Sequence, residues 1–303
     1  MELITDDLDY SAYLAEPEAK TKVRNASTYS DELIDRLMKP KELQGVSLPW
    51  DKTHDKIRLR RNELTLWPGF NGHGKSLVLN QIMLYAMAQG EKAMIASMEM
   101  QPIATLERMC KQAIGLGNPT ITEARTFSKW TDGKLWIYDH IGSVHWNNLL
   151  GVMRYAASEL GITQFIVDSL MRCGIADDDY SGQKAFVDAL CTFRLDYDVH
   201  VHLVAHSRKR EDEYTAPGKY DLKGSGTITD LADNVITVYR NKRKEKSVEG
   251  GSATYVDEPD VMLICDKQRH FEWEGTVGLW YLKGSQQFVE TPITKPMHLM
   301  DVF

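Results

Sequence analysis

The stretch Gly69-Phe70-Asn71-Gly72-His73-Gly74-Lys75-Ser76 decides the fold, because it joins an apolar strand candidate, residues 63–67, to a helical pattern, residues 75–88. Its spacing fits the motif G-x-x-x-x-G-K-[ST]. Such a loop wraps with its backbone N–H groups pointing inward, and the following helix adds the positive end of its dipole. The sequence therefore predicts a polyphosphate site at the end of a strand.

From residue 62 to residue 205, strand candidates alternate with segments of helical period. The strand candidates are residues 63–67, 92–98, 135–138, 164–167 and 199–205, and the helical ones are residues 75–88, 103–114, 146–160 and 183–195. This alternation predicts an α/β fold with a mainly parallel sheet that helices cover on both faces. Residues 235–240, 261–265, 277–282 and 288–290 have short connections and predict antiparallel additions at the sheet edge. The charged stretch 242–251 is expected to form a loop.

The composition is that of an ordinary globular chain. Of 303 residues, 43% are hydrophobic and 26% charged, and the net charge of −7 excludes a histone-like polycation. The cysteines Cys110, Cys173, Cys191 and Cys265 form no C-x-x-C pair, which argues against a zinc ribbon or a disulfide framework. An acidic start and the lack of an apolar run of about 18 residues predict a cytosolic chain without a membrane span.

The chain divides at about residue 60 in this interpretation. Residues 1–60 form an N-terminal extension, and residues 61–303 form the larger domain. The extension contains one helical segment, residues 30–39, with Ser30 as its expected N-cap. Its apolar side chains fall on one side and are Leu33, Ile34, Leu37 and Met38.

The phosphate loop and a second strand together predict a nucleotide and a metal. Lys75 is expected to reach the β and γ phosphates, while the Ser76 hydroxyl ligates Mg²⁺. Asp168 ends the strand candidate 164–167 and is the second predicted Mg²⁺ residue, the alternative being a turn or helix cap. The predicted nucleotide contacts of the loop are Gly69, Asn71, Gly72, His73, Gly74, Lys75, Ser76 and Leu77.

Hydrolysis requires a group that orients and deprotonates water. Ser169 follows Asp168 directly, so the base is expected elsewhere, and Glu99 ends a neighbouring strand candidate at the same carboxyl edge. The alternative role of Glu99 is a helix-start acid. His206, at the tip of strand candidate 199–205, suits a sensor of the γ-phosphate. Because His200, His202 and His206 are spaced by even numbers, a metal site on one strand face is a weaker alternative.

These motifs in this order resemble one family over residues 50–290, namely the ring-forming replicative DNA helicases with a RecA-like motor. This group includes DnaB, the phage primase-helicases and mitochondrial Twinkle. The matching residues are 69–76, 97–100, 165–169, 202–206, 223–226, 231–236 and 267–269. His206 stands where DnaB has a glutamine, which favours the phage and Twinkle branch. The chain has no zinc-ribbon cysteines, so primase activity is not expected.

The resemblance assigns further roles. Lys267 and Arg269 match cations that reach the nucleotide of a neighbouring subunit, with the arginine acting as an arginine finger, and Arg240 is expected near the base or ribose. The helix 30–39 resembles a linker helix that docks on the adjacent subunit, the alternative being that it packs on its own. DNA-backbone contacts are expected from Arg208, Lys209, Arg210, Lys223, Gly224 and Ser225.

The expected function is an NTP-hydrolysing helicase that translocates 5′ to 3′ on single-stranded DNA as a ring and unwinds duplex. Its cofactors would be ATP or another NTP or dNTP, and Mg²⁺. Its partners would be DNA, further copies of the chain in a hexamer, and a separate primase or polymerase. Two alternatives are a RecA- or RadA-like DNA-dependent ATPase that does not unwind, and an assembly factor in which nucleotide sets the oligomeric state.

Overall fold

One long sheet carries the domain in the computed structural model, which describes residues 3–4, 25–38, 44–207, 214–216, 226–252 and 254–301. Ten strands of these residues pair in the order β1-β6-β5-β7-β8-β4-β9-β10-β11-β12. A separate hairpin joins β2 to β3. The strands are β1 Leu3–Ile4, β2 Val46–Ser47, β3 Arg58–Leu59, β4 Leu64–Trp67, β5 Ala93–Ser97, β6 Leu135–Tyr138, β7 Gln164–Asp168, β8 His200–Val204, β9 Asn234–Arg240, β10 Val261–Gln268, β11 Gly275–Leu282 and β12 Gln287–Val289.

The predicted α/β class is confirmed, with one correction at β9. Six strands of this sheet pair in parallel, namely β1, β6, β5, β7, β8 and β4. Strands β10, β11 and β12 are antiparallel. Strand β9 was expected to be an antiparallel addition, but it pairs parallel with β4 through Thr65 and Asn234. It therefore extends the parallel part of the sheet by one strand, and β4 lies between β8 and β9.

Helices cover both faces of the sheet. They are α1 Ser30–Met38, α2 Lys75–Ala88, α3 Pro102–Ile114, α4 Ile121–Thr131, α5 Trp146–Leu160, α6 Tyr180–Asp196, α7 Thr227–Leu231 and α8 Lys242–Glu249. The expectation of a loop at residues 242–251 is wrong, because residues 242–249 form helix α8. Asn241 is its N-cap, and the Asn241 side chain accepts a hydrogen bond from the Lys244 N–H. Helix α4 was not predicted either, although Thr120 and Glu123 form a capping box at its start. None of the described helices combines the length and apolarity that a membrane crossing requires.

Two apolar clusters hold the helices to the sheet. The first packs side chains of α2, α3 and α4 on one face, and the second packs side chains of α5, α6 and α7 on the other. Residues from the predicted extension also enter the first cluster, among them Leu48, Trp50 and Ile57, which are at most 1% exposed. The packing of the large domain thus includes residues on both sides of the division at residue 60, and that division stays a prediction.

Helix α1 differs from the prediction at its start. A 3-10 turn, Ala26–Tyr29, precedes it and is capped by Asn25, whose side chain accepts from the Ser27 N–H, and Ser30 already has helical φ and ψ values of −58° and −45°. Ser30 instead donates its hydroxyl to the Ser27 carbonyl. The apolar side chains of α1 are exposed by 54 to 78%, namely Leu33, Ile34, Leu37 and Met38. Among the described residues, the alternative that α1 packs on its own subunit is therefore not supported.

The histidines of β8 belong to the core. His200 lies between the Thr65 hydroxyl, 2.9 Å from Nε2, and the Arg60 carbonyl, 2.5 Å from Nδ1. His202 accepts the Trp67 indole N–H at 3.1 Å and contacts the Gln164 amide oxygen at 3.1 Å. Within the residues that the structure describes, no group of three potential ligands could hold a metal ion, so the metal-site alternative is wrong.

These buried histidines predict an acid-sensitive fold. Burial lowers the pKa of His200 to about 4. The unfolded chain therefore takes up a proton near pH 6.5 that the folded chain resists until about pH 4, and the free energy of unfolding falls across this window. We expect a loss of about 2 kcal/mol between pH 7 and pH 5 from His200, measured by urea denaturation. His200→Gln removes the titrating group and should flatten this dependence; an unchanged dependence would contradict the assignment.

Candidate nucleotide-binding site

The loop between β4 and α2 forms a cradle for an anion. Gly72 and Gly74 adopt φ values of 76° and 86°, which lie in the left-handed region that glycine tolerates best. Glycine is required at position 69 for a different reason, because a Cβ there would come within 2.5 Å of the Val238 carbonyl of β9. In the described part of the chain, no side chain caps the start of α2 and its first turn contains no acid. Its N–H groups and dipole therefore remain available to a negative ligand.

Lys75 lies inside this cradle. Its ammonium group donates to the Gly69 and Phe70 carbonyls, each at 2.9 Å, and the side chain is buried. Burial lowers the pKa of Lys75 to about 8, while the carboxylates of Asp168 and Glu99 act in the opposite direction. A phosphate in the cradle would stabilise the charged form of Lys75. It would supply a full negative charge, whereas the two carbonyls offer only partial charges.

Ser76 and Asp168 meet as the sequence predicts. The Ser76 hydroxyl donates to Asp168 Oδ2 at 2.5 Å. Burial raises the pKa of Asp168, an effect that the Ser76 hydrogen bond opposes and the Glu99 carboxylate reinforces. A hydroxyl and a carboxylate at this separation are oxygen ligands of the type that Mg²⁺ prefers, and Lys75 lies beside them. The donor set thus fits a Mg²⁺–polyphosphate complex.

Glu99 and His206 converge on Ser169 at the carboxyl edge of the sheet. The Ser169 hydroxyl lies 3.2 Å from His206 Nε2 and 3.4 Å from Glu99 Oε1. His206 Nε2 and Glu99 Oε1 are 3.7 Å apart. The side chain of Glu99 is 42% exposed, so water has access to it. This cluster lies next to Asp168, so the predicted base and the predicted sensor are beside the residues predicted to hold the metal and the phosphates.

Sequence reasoning missed Arg172 at this edge. Its Nε lies 3.3 Å from Glu99 Oε1, and both side chains are more than 40% exposed. Arg172 follows β7 in a short 3-10 turn, Leu170–Arg172, whose direction no pattern in the sequence predicts. The contact holds the Glu99 carboxylate near Ser169 while leaving it accessible to solvent.

His73 ties the loop to β9. Its Nδ1 accepts the backbone N–H of Arg240 at 3.0 Å, and its ring packs between Phe70 and Tyr239 at 5.1 and 5.6 Å. Burial, assisted by nearby cations, lowers the pKa of His73 to about 4, so the imidazole is neutral at pH 7. The Arg240 side chain therefore lies beside the phosphate loop, where it pairs with Glu245 of α8.

The remaining predicted loop residues occupy different positions. Asn71 and Gly72 are exposed at the tip of the loop. Leu77 is half-buried against the core, and its carbonyl accepts a hydrogen bond from the Gln112 amide at 2.9 Å. The tip is therefore open to solvent, whereas Leu77 contributes mainly packing on the helix side.

Lys267 and Arg269 lie at the amino ends of the parallel strands, whereas the phosphate loop lies at their carboxyl ends. Strand β10 pairs Gln268 with Asn234 at the start of β9, whereas the far end of β9 reaches the loop at Arg240. The two ends of β9 are six residue steps apart, which is about 20 Å along the strand. Arg269 therefore does not reach the phosphate loop of its own chain.

A cavity of about 1200 Å³ opens beside Arg269 at this edge. This cavity lies away from the phosphate loop. Part of its lining consists of Arg60, Arg61, Glu63, Arg269, His270 and Phe271. The residues predicted to contact DNA, Arg208, Lys209, Arg210, Lys223, Gly224 and Ser225, lie outside the described part of the chain.

Comparison with known proteins identifies the family and the fold of the chain. A family model for the DnaB-like helicase C-terminal domain matches residues 55–290. A DNA helicase/primase of Enterobacteria phage T3 is 24% identical over 210 residues, which make up 61% of this chain but only 36% of that protein. A solved ATPase domain has a TM-score of 0.72 at 15% identity and covers 88% of this chain and 99% of its own. A solved DnaB-like replicative helicase, studied with its interactions with primase, has a TM-score of 0.70 at 16% identity and covers 88% and 68%. The solved structures share the fold.

The cradle predicts the effect of removing Lys75. Lys75→Ala should reduce nucleotide hydrolysis by roughly 100-fold or more, because the main cation facing the phosphates is lost. The melting temperature should not fall, since the variant removes a charge that is costly to bury. Lys129→Ala on the exposed surface of α4 is the matched control and should hydrolyse normally. Hydrolysis by Lys75→Ala at the normal rate would rule out this site.

Proposed function

Because this chain belongs to the family of DnaB-like helicase C-terminal domains, we propose that it is the motor of a replicative DNA helicase. It hydrolyses a nucleoside triphosphate, translocates on single-stranded DNA as a ring and unwinds duplex. One observation carries this proposal. The phosphate cradle lies at the carboxyl ends of the parallel strands, and Lys267 and Arg269 lie at their amino ends. Such an arrangement suits a site that two subunits complete.

The residues of the cradle bind and orient the triphosphate. The N–H groups at the start of α2 and the Lys75 ammonium neutralise the β and γ phosphates. Ser76 and Asp168 would hold Mg²⁺, which when bound would supply positive charge beside the phosphates. His73 keeps the loop in register with β9, and Arg240, next to it, faces the base or ribose.

Glu99 is the proposed base. It lies at the carboxyl edge within 3.4 Å of the Ser169 hydroxyl, close to the Ser76–Asp168 pair, and it is accessible to water. His206 contacts the same hydroxyl, so movement of a phosphate at His206 is passed to the base through Ser169. Arg172 holds the Glu99 carboxylate at this edge, with its Nε 3.3 Å from Oε1.

Hydrolysis in this proposal depends on assembly. Arg269 lies about 20 Å of strand length from its own loop, so its role requires a phosphate on a neighbouring copy. Two cations added across an interface stabilise charge on the transferring phosphoryl group. The exposed apolar side of α1 supports a second contact between copies. A ring, most simply a hexamer, contains one such site at every interface.

The partners follow from the same proposal. The segment 208–225 supplies the DNA contacts, because Arg208, Lys209 and Arg210 directly follow the His206 sensor. A primase or polymerase would act with this chain as a separate protein. The relative from phage T3 supports a phage replication protein that acts in the cytoplasm of the infected cell.

Mixing two inactive variants tests completion of the site across subunits. Arg269→Ala should bind nucleotide but lose hydrolysis by about 1,000-fold or more. Lys75→Ala retains Arg269, so mixed assemblies contain interfaces with one intact cradle and one intact arginine. Hydrolysis should therefore return in part as the two variants are titrated together. Its absence at every mixing ratio would contradict action in trans.

Replacing Arg208, Lys209 and Arg210 by alanine tests the DNA contacts. Single-strand affinity should fall, and the slope of log K against log salt should lose about 0.7 per phosphate contact removed. Alanine at Arg243, Lys244 and Lys246 of α8 removes the same charge and should change the slope less. Equal slopes for the two triple variants would place DNA binding elsewhere.

A further inference from the structure

A fully buried carboxylate lies directly behind Arg269. Asp233 Oδ1 accepts from Arg269 Nη1 at 2.8 Å, and Oδ2 lies 3.1 Å from Arg194 Nη2. The same Oδ2 accepts the Leu64 N–H at 2.8 Å, and the backbone groups of Asp233 bond to Leu64 and Arg269 at 2.9 Å each. The side chain of Asp233 is 1% exposed, whereas that of Arg269 is 41% exposed. Asp233 is thus fixed on the sheet from several directions and holds a side chain that faces outward.

The C-terminal end of α7 contacts the same two cations. The Lys267 ammonium donates to the Thr229 and Asp230 carbonyls at 2.9 Å each. Arg269 Nη2 donates to the Asp230 carbonyl at 3.2 Å. Carbonyls at the end of a helix carry partial negative charge and favour cations. Asp233 and these carbonyls together form a dock for Lys267 and Arg269.

We infer that Asp233 is a positioning residue for the arginine that completes the neighbouring subunit's site. The guanidinium has five N–H donors in a fixed fork. The dock engages Nη1 and Nη2 from one side, so the orientation of the fork is set before the neighbour's phosphate arrives. Pre-set orientation spares the entropy that a mobile arginine loses at each turnover, and a displacement of about 1 Å can cost roughly 100-fold in rate.

Helix α7 connects this dock to the segment 208–225, which we propose to contact DNA. The helix begins at Thr227, and only Gly226 separates it from Ser225 in the chain. Asp233 lies just beyond α7, and its carboxylate is bonded to β4 through the Leu64 N–H. It therefore fixes Arg269 relative to the central strand, while the Asp230 carbonyl links the same arginine to α7.

The test is Asp233→Asn in the assembled full chain, and it rests on the proposed trans role of Arg269. Asparagine keeps the shape and can still accept the Leu64 N–H, but the charge that orients Arg269 is lost. We expect kcat to fall by roughly 10- to 100-fold with little change in KM, since the cradle of each chain is intact. Asp188→Asn on the exposed side of α6 is the matched control and should behave as the unmodified protein.

Mixing experiments separate positioning from a general loss of structure. Asp233→Asn mixed with Lys75→Ala should regain hydrolysis, because the Lys75→Ala copy contributes a positioned Arg269 to an intact cradle. Asp233→Asn mixed with Arg269→Ala should regain none, because both copies lack a positioned arginine. A structural defect would instead damage the cradle of the Asp233→Asn copy, and Lys75→Ala would not rescue it; that outcome overturns the inference.

Two further results decide between this inference and its alternatives. A rise in kcat for Asp233→Asn would mean that the contact holds Arg269 back, which also overturns positioning. Failure of Lys75→Ala to rescue Arg269→Ala itself would instead contradict the proposed function. If Asp233→Asn does not fold, Asp233→Asn combined with Arg194→Gln replaces the buried ion pair by a neutral pair, and the same mixing pattern is expected.

Discussion

The positive field at the start of α2 is the constraint on which the site depends. The helix begins with no acidic residue in its first turn, and Lys75 adds a full charge in a buried position. Carbonyl oxygens of Gly69 and Phe70 satisfy the hydrogen bonds of that charge but do not neutralise it. A bound polyphosphate is therefore the complement that we propose for this charge, because the nearby carboxylates of Asp168 and Glu99 balance it only in part.

The register of β4, β9 and β10 separates the site into two halves. The carboxyl end of β9 reaches the phosphate loop, while its amino end pairs with the strand that carries Lys267 and Arg269. Since these ends are fixed by backbone hydrogen bonds, no side-chain movement can bring the halves of one chain together. Assembly is thus a geometric requirement of the proposed reaction and not an accessory to it.

Much of this arrangement follows from the sequence because it depends on local signals. The loop pattern predicts Lys75 and Ser76, and the rule that ligands gather at the carboxyl edge of a parallel sheet predicts Asp168, Glu99 and His206. The parallel pairing of β9 was missed, because a strand's partner depends on tertiary contacts. Helix α8 was missed because it lacks an apolar side and is stabilised by its cap and by Lys244, whose ammonium lies 2.7 Å from Asp260.

Contacts made by polar side chains in the interior were the least predictable. The even spacing of His200 and His202 fits a metal site and a buried hydrogen-bonded pair equally well, and only the position of neighbours such as Thr65 and Gln164 decides between them. Arg172 escaped prediction for the same reason, since its contact with Glu99 depends on the direction of a short turn. Spacing predicts which face a side chain occupies, but not the groups that meet it there.

The network around Asp233 is difficult to explain by stability alone. Burying a carboxylate with two guanidinium groups costs desolvation energy that the attraction between the charges often only offsets, and apolar replacements of such groups are frequently as stable. What an apolar core cannot provide is a directional contact with Arg269, whose fork presents its donors at fixed angles. Arg194 reduces the cost by sharing the carboxylate from within α6, and Leu64 fixes the carboxylate to the central strand. The cluster therefore acts as a rigid reference point that joins β4, the strand leading into the phosphate loop, to the cation that we propose completes the next subunit's site.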